Sequence, residues 1–61
     1  RAIESLVGAE GVVVTELRPV GIVRIGDRRY DALAETFMIP AGSKVKVVHA
    51  DPMQIKVRQI S

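Results

Sequence analysis

Apolar and polar residues alternate along most of this chain with the period of a β-strand, not that of a helix. Five runs rich in Val or Ile carry the alternation, over residues 10–17, 21–25, 28–35, 44–50 and 53–60, with turn-forming residues between them. Within a run one face is apolar and the other charged. Val23 and Ile25 oppose Arg24, Val45 and Val47 oppose Lys44 and Lys46, and Ile55 and Val57 oppose Lys56 and Arg58. Strands that bury one face and wet the other in this way belong to antiparallel sheets. The third run is expected to turn Tyr30, Ala32 and Ala34 inward and to leave Asp31 and Leu33 outside, the small alanines suiting a tightly curved centre.

The connections are as informative as the runs. Pro19 has no N–H and ends pairing of the first run, and Gly21 lets the chain bend into the second. Gly26-Asp27 and Asp51-Pro52 read as turns. Residues 1–7 are weakly helical or extended, since Gly8 and Gly11 break any longer helix. The one long connection is 36–43, where Pro40 excludes a regular helix. Its Phe37 and Ile39 are too apolar for a solvated loop and are expected to plug an open end of a barrel, before Ile39-Pro40-Ala41-Gly42 turns tightly into the fourth strand. Five strands with the longest connection between the third and fourth predict an all-β fold: a small five-stranded OB-fold-like Greek-key barrel with no regular helix between strands 3 and 4. An SH3-like barrel is the alternative on strand count alone.

With 61 residues the chain is one domain, residues 1–61, in which 1–7 form a linker leading into the barrel. A domain this small buries only about 60% of its unfolded surface. It has no Cys, which removes disulfides, thiol nucleophiles and Cys-based metal sites. Nine Lys and Arg against seven Asp and Glu leave a net charge of +2, too mild for the concentrated basic patch of a dedicated nucleic-acid binder. No apolar run approaches the roughly 20 residues needed to cross a bilayer, and no signal peptide is visible. The chain opens on Arg1 without an initiator Met and is expected to be a domain of a longer protein.

Candidate chemistry is sparse. His49 is the single histidine, and with Asp51 it does not make a ligand set, so a solvated strand-end histidine is preferred and no metal is expected. Asp27, Asp31 and Glu35 fall at a spacing that lines one outward strand face, but Arg24, Arg28 and Arg29 lie close by and ion pairing is preferred over acid–base work. Ser5, Ser43 and Ser61 sit in no nucleophile elbow, and the five glycines form no phosphate loop. Neither a catalytic group nor a cofactor site is expected. The outward cations Arg24, Lys44, Lys46, Lys56 and Arg58 keep a nucleic-acid reading open, because OB-folds often bind single strands on the face of strands two and three. Such sites add aromatic platforms, whereas Tyr30 and Phe37 are expected inward or at the plug. Lysines alternating along strands also prevent edge-to-edge aggregation.

The stretches Leu6-Val7-Gly8-Ala9-Glu10-Gly11, Thr15-Glu16-Leu17-Arg18-Pro19-Val20-Gly21-Ile22-Val23-Arg24-Ile25, Arg29-Tyr30-Asp31-Ala32 and Ile39-Pro40-Ala41-Gly42-Ser43-Lys44-Val45-Lys46-Val47-Val48 together resemble the C-terminal domain of NfeD-family proteins. The resemblance spans residues 6 to 58, and the combined pattern is more specific than any one piece. The departures are Ser43, where Thr is common, and Met38-Ile39-Pro40 in place of more polar residues. The resemblance implies a five-stranded OB-like barrel, soluble and facing the cytoplasm, at the C-terminus of a membrane-anchored protein. It also implies a partner among stomatin-, prohibitin- or flotillin-like membrane proteins. Long members add an N-terminal serine protease domain with a Ser-Lys dyad, to which nothing in this chain corresponds.

These readings converge on a non-enzymatic protein-interaction domain working in membrane organisation or quality control, with an OB-fold single-stranded nucleic-acid binder as the alternative. Self-association is left open. The expected partner contacts are Ile22 and Leu33, which the alternation places outward, Met38 and Ile39 in the long connection, and Arg18 at the barrel rim.

Overall fold

The structure, a computed structural model, describes residues 3–60, and side chains from Ser5 onward. A short 3-10 helix, Ile3–Leu6, precedes five strands: β1 (Glu10–Thr15), β2 (Val20–Ile25), β3 (Arg28–Ala34), β4 (Lys44–Ala50) and β5 (Ile55–Gln59). Residues 1, 2 and 61 lie outside the described residues, and with them the beginning of the expected linker. The strands close into a barrel in the order β1-β2-β3-β5-β4. Every neighbouring pair is antiparallel except β3 with β5. That parallel seam, which a simple meander of hairpins cannot supply, gives the OB-like Greek-key order, and no helix stands between β3 and β4.

Two register shifts help a short sheet curl on itself. One falls between Val13 and Thr15 in β1 and the other between Val47 and His49 in β4. Each adds a residue to one strand, which bends it and increases its twist. After the first shift, Thr15 Oγ1 accepts the N–H of Ile22 at 2.9 Å, so a side chain extends the ladder into the corner. The corner contains the cis peptide Arg18-Pro19. The β2–β3 hairpin turns through Gly26-Asp27, with Gly26 at φ 66° and Asp27 at negative φ. A glycine with positive φ in the first central position fits a two-residue type II′ hairpin.

The core follows the predicted alternation. Val13, Val23, Val45, Val47 and Val57 from all strands but β3 are sealed from solvent, Ala32 and Ala34 line the curved third strand, and Tyr30 packs partly buried against them. Leu6 of the 3-10 helix also packs on this core, and the helix lies against β4.

The 36–43 connection corrects one expectation. Ile39 is 0% exposed and plugs the core, but Phe37 is 81% exposed and plugs nothing. The reason is local. Leu17 and Ile39 exchange backbone hydrogen bonds of 2.9 and 3.1 Å, which fixes Ile39 inward as if on a strand. Residues 35–37 instead form a bend, and Phe37 swings out. Pro40 then accepts the N–H of Ser43 at 3.3 Å across the expected tight turn, with Gly42 at φ 89°.

Candidate interaction face

Pairing of β2 with β3 sets three cross-strand pairs on the outside of the barrel: Val20 opposite Leu33, Ile22 opposite Asp31, and Arg24 opposite Arg29. These positions alternate with the buried Val23, Ala32 and Ala34, so the pleat itself turns them outward. Val20 is 61% exposed, while Ile22 and Leu33 are half-buried. Beside them stands Met53, 90% exposed. Val20, Leu33 and Met53 surround a shallow groove of about 200 Å3 whose floor is Ala32 and Ile55, with Asp31 and Gln54 at its lip. A second hollow of similar size shares Asp31, Met53, Gln54 and Ile55 and runs on past Tyr30, Asp51 and Pro52.

Met53 is held in the open by the turn before β5. Asp51 Oδ1 accepts the N–H groups of Met53 and Gln54, each at 2.8 Å, and the Asp51 N–H donates to the Gln54 carbonyl at 3.0 Å. His49 Nε2 lies 2.7 Å from the other carboxylate oxygen. The hydrogen bond from His49, followed by those from Gln54 and Met53, holds the Asp51 carboxyl below its usual range. A carboxylate saturated by a turn and one histidine is a structural brace. Among the described residues no three His, Asp or Glu side chains gather in a way that would hold a metal ion.

The other acidic positions do not converge. Asp27 sits in the hairpin turn. Glu35 lies beyond the end of β3, gripped by Arg58 through Nε at 2.7 Å and Nη2 at 3.1 Å. That bidentate bond holds the Glu35 carboxyl below its usual value and raises Arg58. Asp31 makes no ion pair or side-chain hydrogen bond among the described residues.

Of the expected contact residues, Ile22 and Leu33 lie on the β2–β3 face, and Leu33 lines the groove. Met38 is exposed on the 36–43 connection. Arg18 is exposed and pairs with Glu16 at 3.1 Å, so it leans on its own corner. Ile39, expected as a contact, is instead fully buried in the core and offers no side chain to a partner. Val20 and Met53 were not expected. Val20 has the outward parity of Ile22 two residues on, a signal the sequence did carry. Met53 has the inward parity of Ile55, and only the Asp51 turn frees it.

The chain matches, over residues 3–59, the family described as the NfeD-like C-terminal, partner-binding domain. It is 40% identical over 56 residues to the membrane protein NfeD1b of Bacillus subtilis (strain 168), an alignment covering 92% of this chain and 13% of that protein. The chain thus spans a small fraction of that relative's length. Among solved structures it is similar to the C-terminal domain of stomatin operon partner protein 1510-C from Pyrococcus horikoshii. The TM-score is 0.87 at 30% identity, with 95% of this chain and 92% of that one covered. Among the described residues no helix is long and apolar enough to cross a membrane.

Proposed function

This chain belongs to the NfeD-like C-terminal, partner-binding domains, and from that premise we propose that it is a non-enzymatic interaction module. Its parent is a membrane-anchored protein, and its partner a stomatin-, prohibitin- or flotillin-type membrane protein with which it acts in membrane organisation or quality control. In this reading the barrel faces the cytoplasm. The names of its relatives, a membrane protein and a stomatin operon partner, support the partner class.

One observation carries the interaction reading: the apolar cluster of Val20, Leu33 and Met53 around a groove on the outer β2–β3 wall. A single exposed apolar residue is ordinary, but several gathered around a concavity favour a contact surface. The same wall in single-strand-binding OB-folds carries stacking aromatics. Here it carries Val20, Ile22 and Leu33 with Arg24 and Arg29 but no aromatic ring, since Tyr30 packs on the core and Phe37 stands on the long connection.

The test is capture of a purified stomatin-type protein from the same genome by the parent protein. Val20→Asp and Met53→Asp are expected to abolish capture while the barrel stays folded, and Lys46→Glu on β4 to leave it intact. Capture unaffected by both aspartate variants would refute the face.

A further inference from the structure

The seam between β3 and β5 is incomplete. The β2–β3 ladder runs from Val20↔Leu33 to Ile25↔Arg28, but the β3–β5 ladder contains Leu33↔Lys56 and Ala34↔Val57 and stops there. Peptide groups alternate sides along a strand, and two bonds fix which side is which. The Ala34 N–H donates to the Pro19 carbonyl at 2.7 Å, on the β2 side, and the Glu35 N–H donates to the Val57 carbonyl at 2.8 Å, on the β5 side. Leu33, Asp31 and Arg29 therefore aim their N–H and C=O groups toward β5. Leu33 meets Lys56 there; Asp31 and Arg29 meet no strand. The cause is the Asp51 turn, whose hydrogen bonds pull Met53 and Gln54 away before β5 begins at Ile55. Between the free edge and the turn lies the trough formed by the two hollows.

We infer that this trough takes an extended peptide segment, added as a strand along the free edge of β3, with apolar side chains on Leu33 and Met53 and a basic side chain against Asp31. The inference rests on the partner-binding reading above and specifies the form of the ligand. Unpaired edges template strand addition, with backbone bonds supplying affinity and alternate side chains specificity. The free edge, residues 29–31, is about 10 Å long at the rise of a strand, enough for a core of a few residues. The two hollows are lined by Asp31 and Asp51 and by no Lys or Arg. Arg29 and its cross-strand neighbour Arg24 stand at the far end of the edge, so the one basic side chain belongs against Asp31. Asp51 is already bound by His49 and the turn, whereas Asp31, which lines both hollows, has no partner among the described residues.

The experiment is an NMR titration of this chain with three blocked hexapeptides: Val-Thr-Lys-Thr-Val-Thr (the Val-Lys peptide), which sets Val and Lys two residues apart on one face as Leu33 and Asp31 are, Val-Thr-Glu-Thr-Val-Thr (the Val-Glu peptide), and the Val-Lys peptide N-methylated at alternate residues. The Val-Lys peptide is expected to give saturable shifts at Asp31, Leu33, Met53 and Gln54 and to slow exchange of the Asp31 amide. The Val-Glu peptide is expected to bind more weakly by about two- to fivefold, the size of an exposed ion pair, and Asp31→Asn to erase that difference. Equal binding of the N-methylated peptide overturns strand addition. So does the absence of saturable β3 shifts, or β3 shifts that grow with protein concentration alone as the mass doubles, which would give the edge to a second copy. The capture assay run alongside separates the two readings. Capture lost in Val20→Asp with no peptide response sinks strand addition alone, and capture indifferent to Val20→Asp sinks the face itself.

Discussion

Gly21→Ala tests how tightly the β1–β2 corner is built. A Cβ at position 21 would lie 2.6 Å from the Glu16 carbonyl oxygen, 2.7 Å from Leu17 Cδ2 and 2.8 Å from the Thr15 carbonyl oxygen. All three are closer than real Cβ contacts allow, and two are backbone atoms. The backbone cannot retreat easily, because Leu17 is tied to Ile39 by two hydrogen bonds and its side chain is sealed in the core. Replacing a strand glycine by alanine gains about 0.5–1 kcal/mol through the unfolded chain. Overpacking costs about 1–3 kcal/mol, and with two rigid backbone oxygens among the three contacts the upper part of that range applies, about 2–3 kcal/mol. The clash therefore wins and the variant loses about 1–2 kcal/mol. Against a total near 3–9 kcal/mol, scaled from about 0.05–0.15 kcal/mol per residue, that is a large share. Urea unfolding followed by circular dichroism is the assay. The midpoint should fall by about 1–2 M at an unchanged slope, and Tm by about 5–15 °C. Leu17→Val relieves the side-chain contact but not the two carbonyls, so the double variant should recover little of the loss. A loss below about 0.5 kcal/mol, or full recovery in the double variant, would refute the reasoning.

Ile39→Ala should cost about 2–5 kcal/mol and leave the barrel marginal, whereas Phe37→Ala should change stability by less than about 0.5 kcal/mol; paired urea curves check both. Glu35 and Asp51 each have a folded pKa below the ordinary values of 4.5 and 3.8. Such groups contribute stability above the unfolded pKa and lose it as pH falls through the folded one. Tm is therefore expected to drop as acid is added below pH 4.5, and Glu35→Gln to flatten part of that drop. Asp51→Ala should speed amide exchange at Met53 and Gln54, while Asp51→Asn, which keeps Oδ1, should largely preserve protection.

The alternation of Val and Ile with charged residues placed β1, β2 and β3 closely and β4 to the residue, because burial on one wall forces a period of two. The excess came where a side chain overrules the alternation. β5 begins at Ile55 and not at Met53, since Asp51 captures the amides that a strand would have presented. Phe37 failed for the same kind of reason: the bend at 35–37 breaks the parity that makes Ile39 a plug. The parallel β3–β5 seam leaves no local signal, because its two partner pairs join residues far apart in sequence. The groove was only half legible. Leu33 followed from parity and Val20 was within its reach, but Met53 required the turn, and the open edge required the place where the seam stops.

Both described ends of the chain return to the same strand. The Gly8 N–H donates to the Val47 carbonyl at 2.8 Å, and the Ile60 N–H donates to the Lys44 carbonyl at 2.9 Å. In a ring ordered β1-β2-β3-β5-β4, β4 stands across the barrel from the β2–β3 pair. A tether, dye or fusion joined beyond the described ends therefore starts beside β4, on the side away from the β2–β3 wall. Attachment through either end leaves the β2–β3 wall open to a partner in solution.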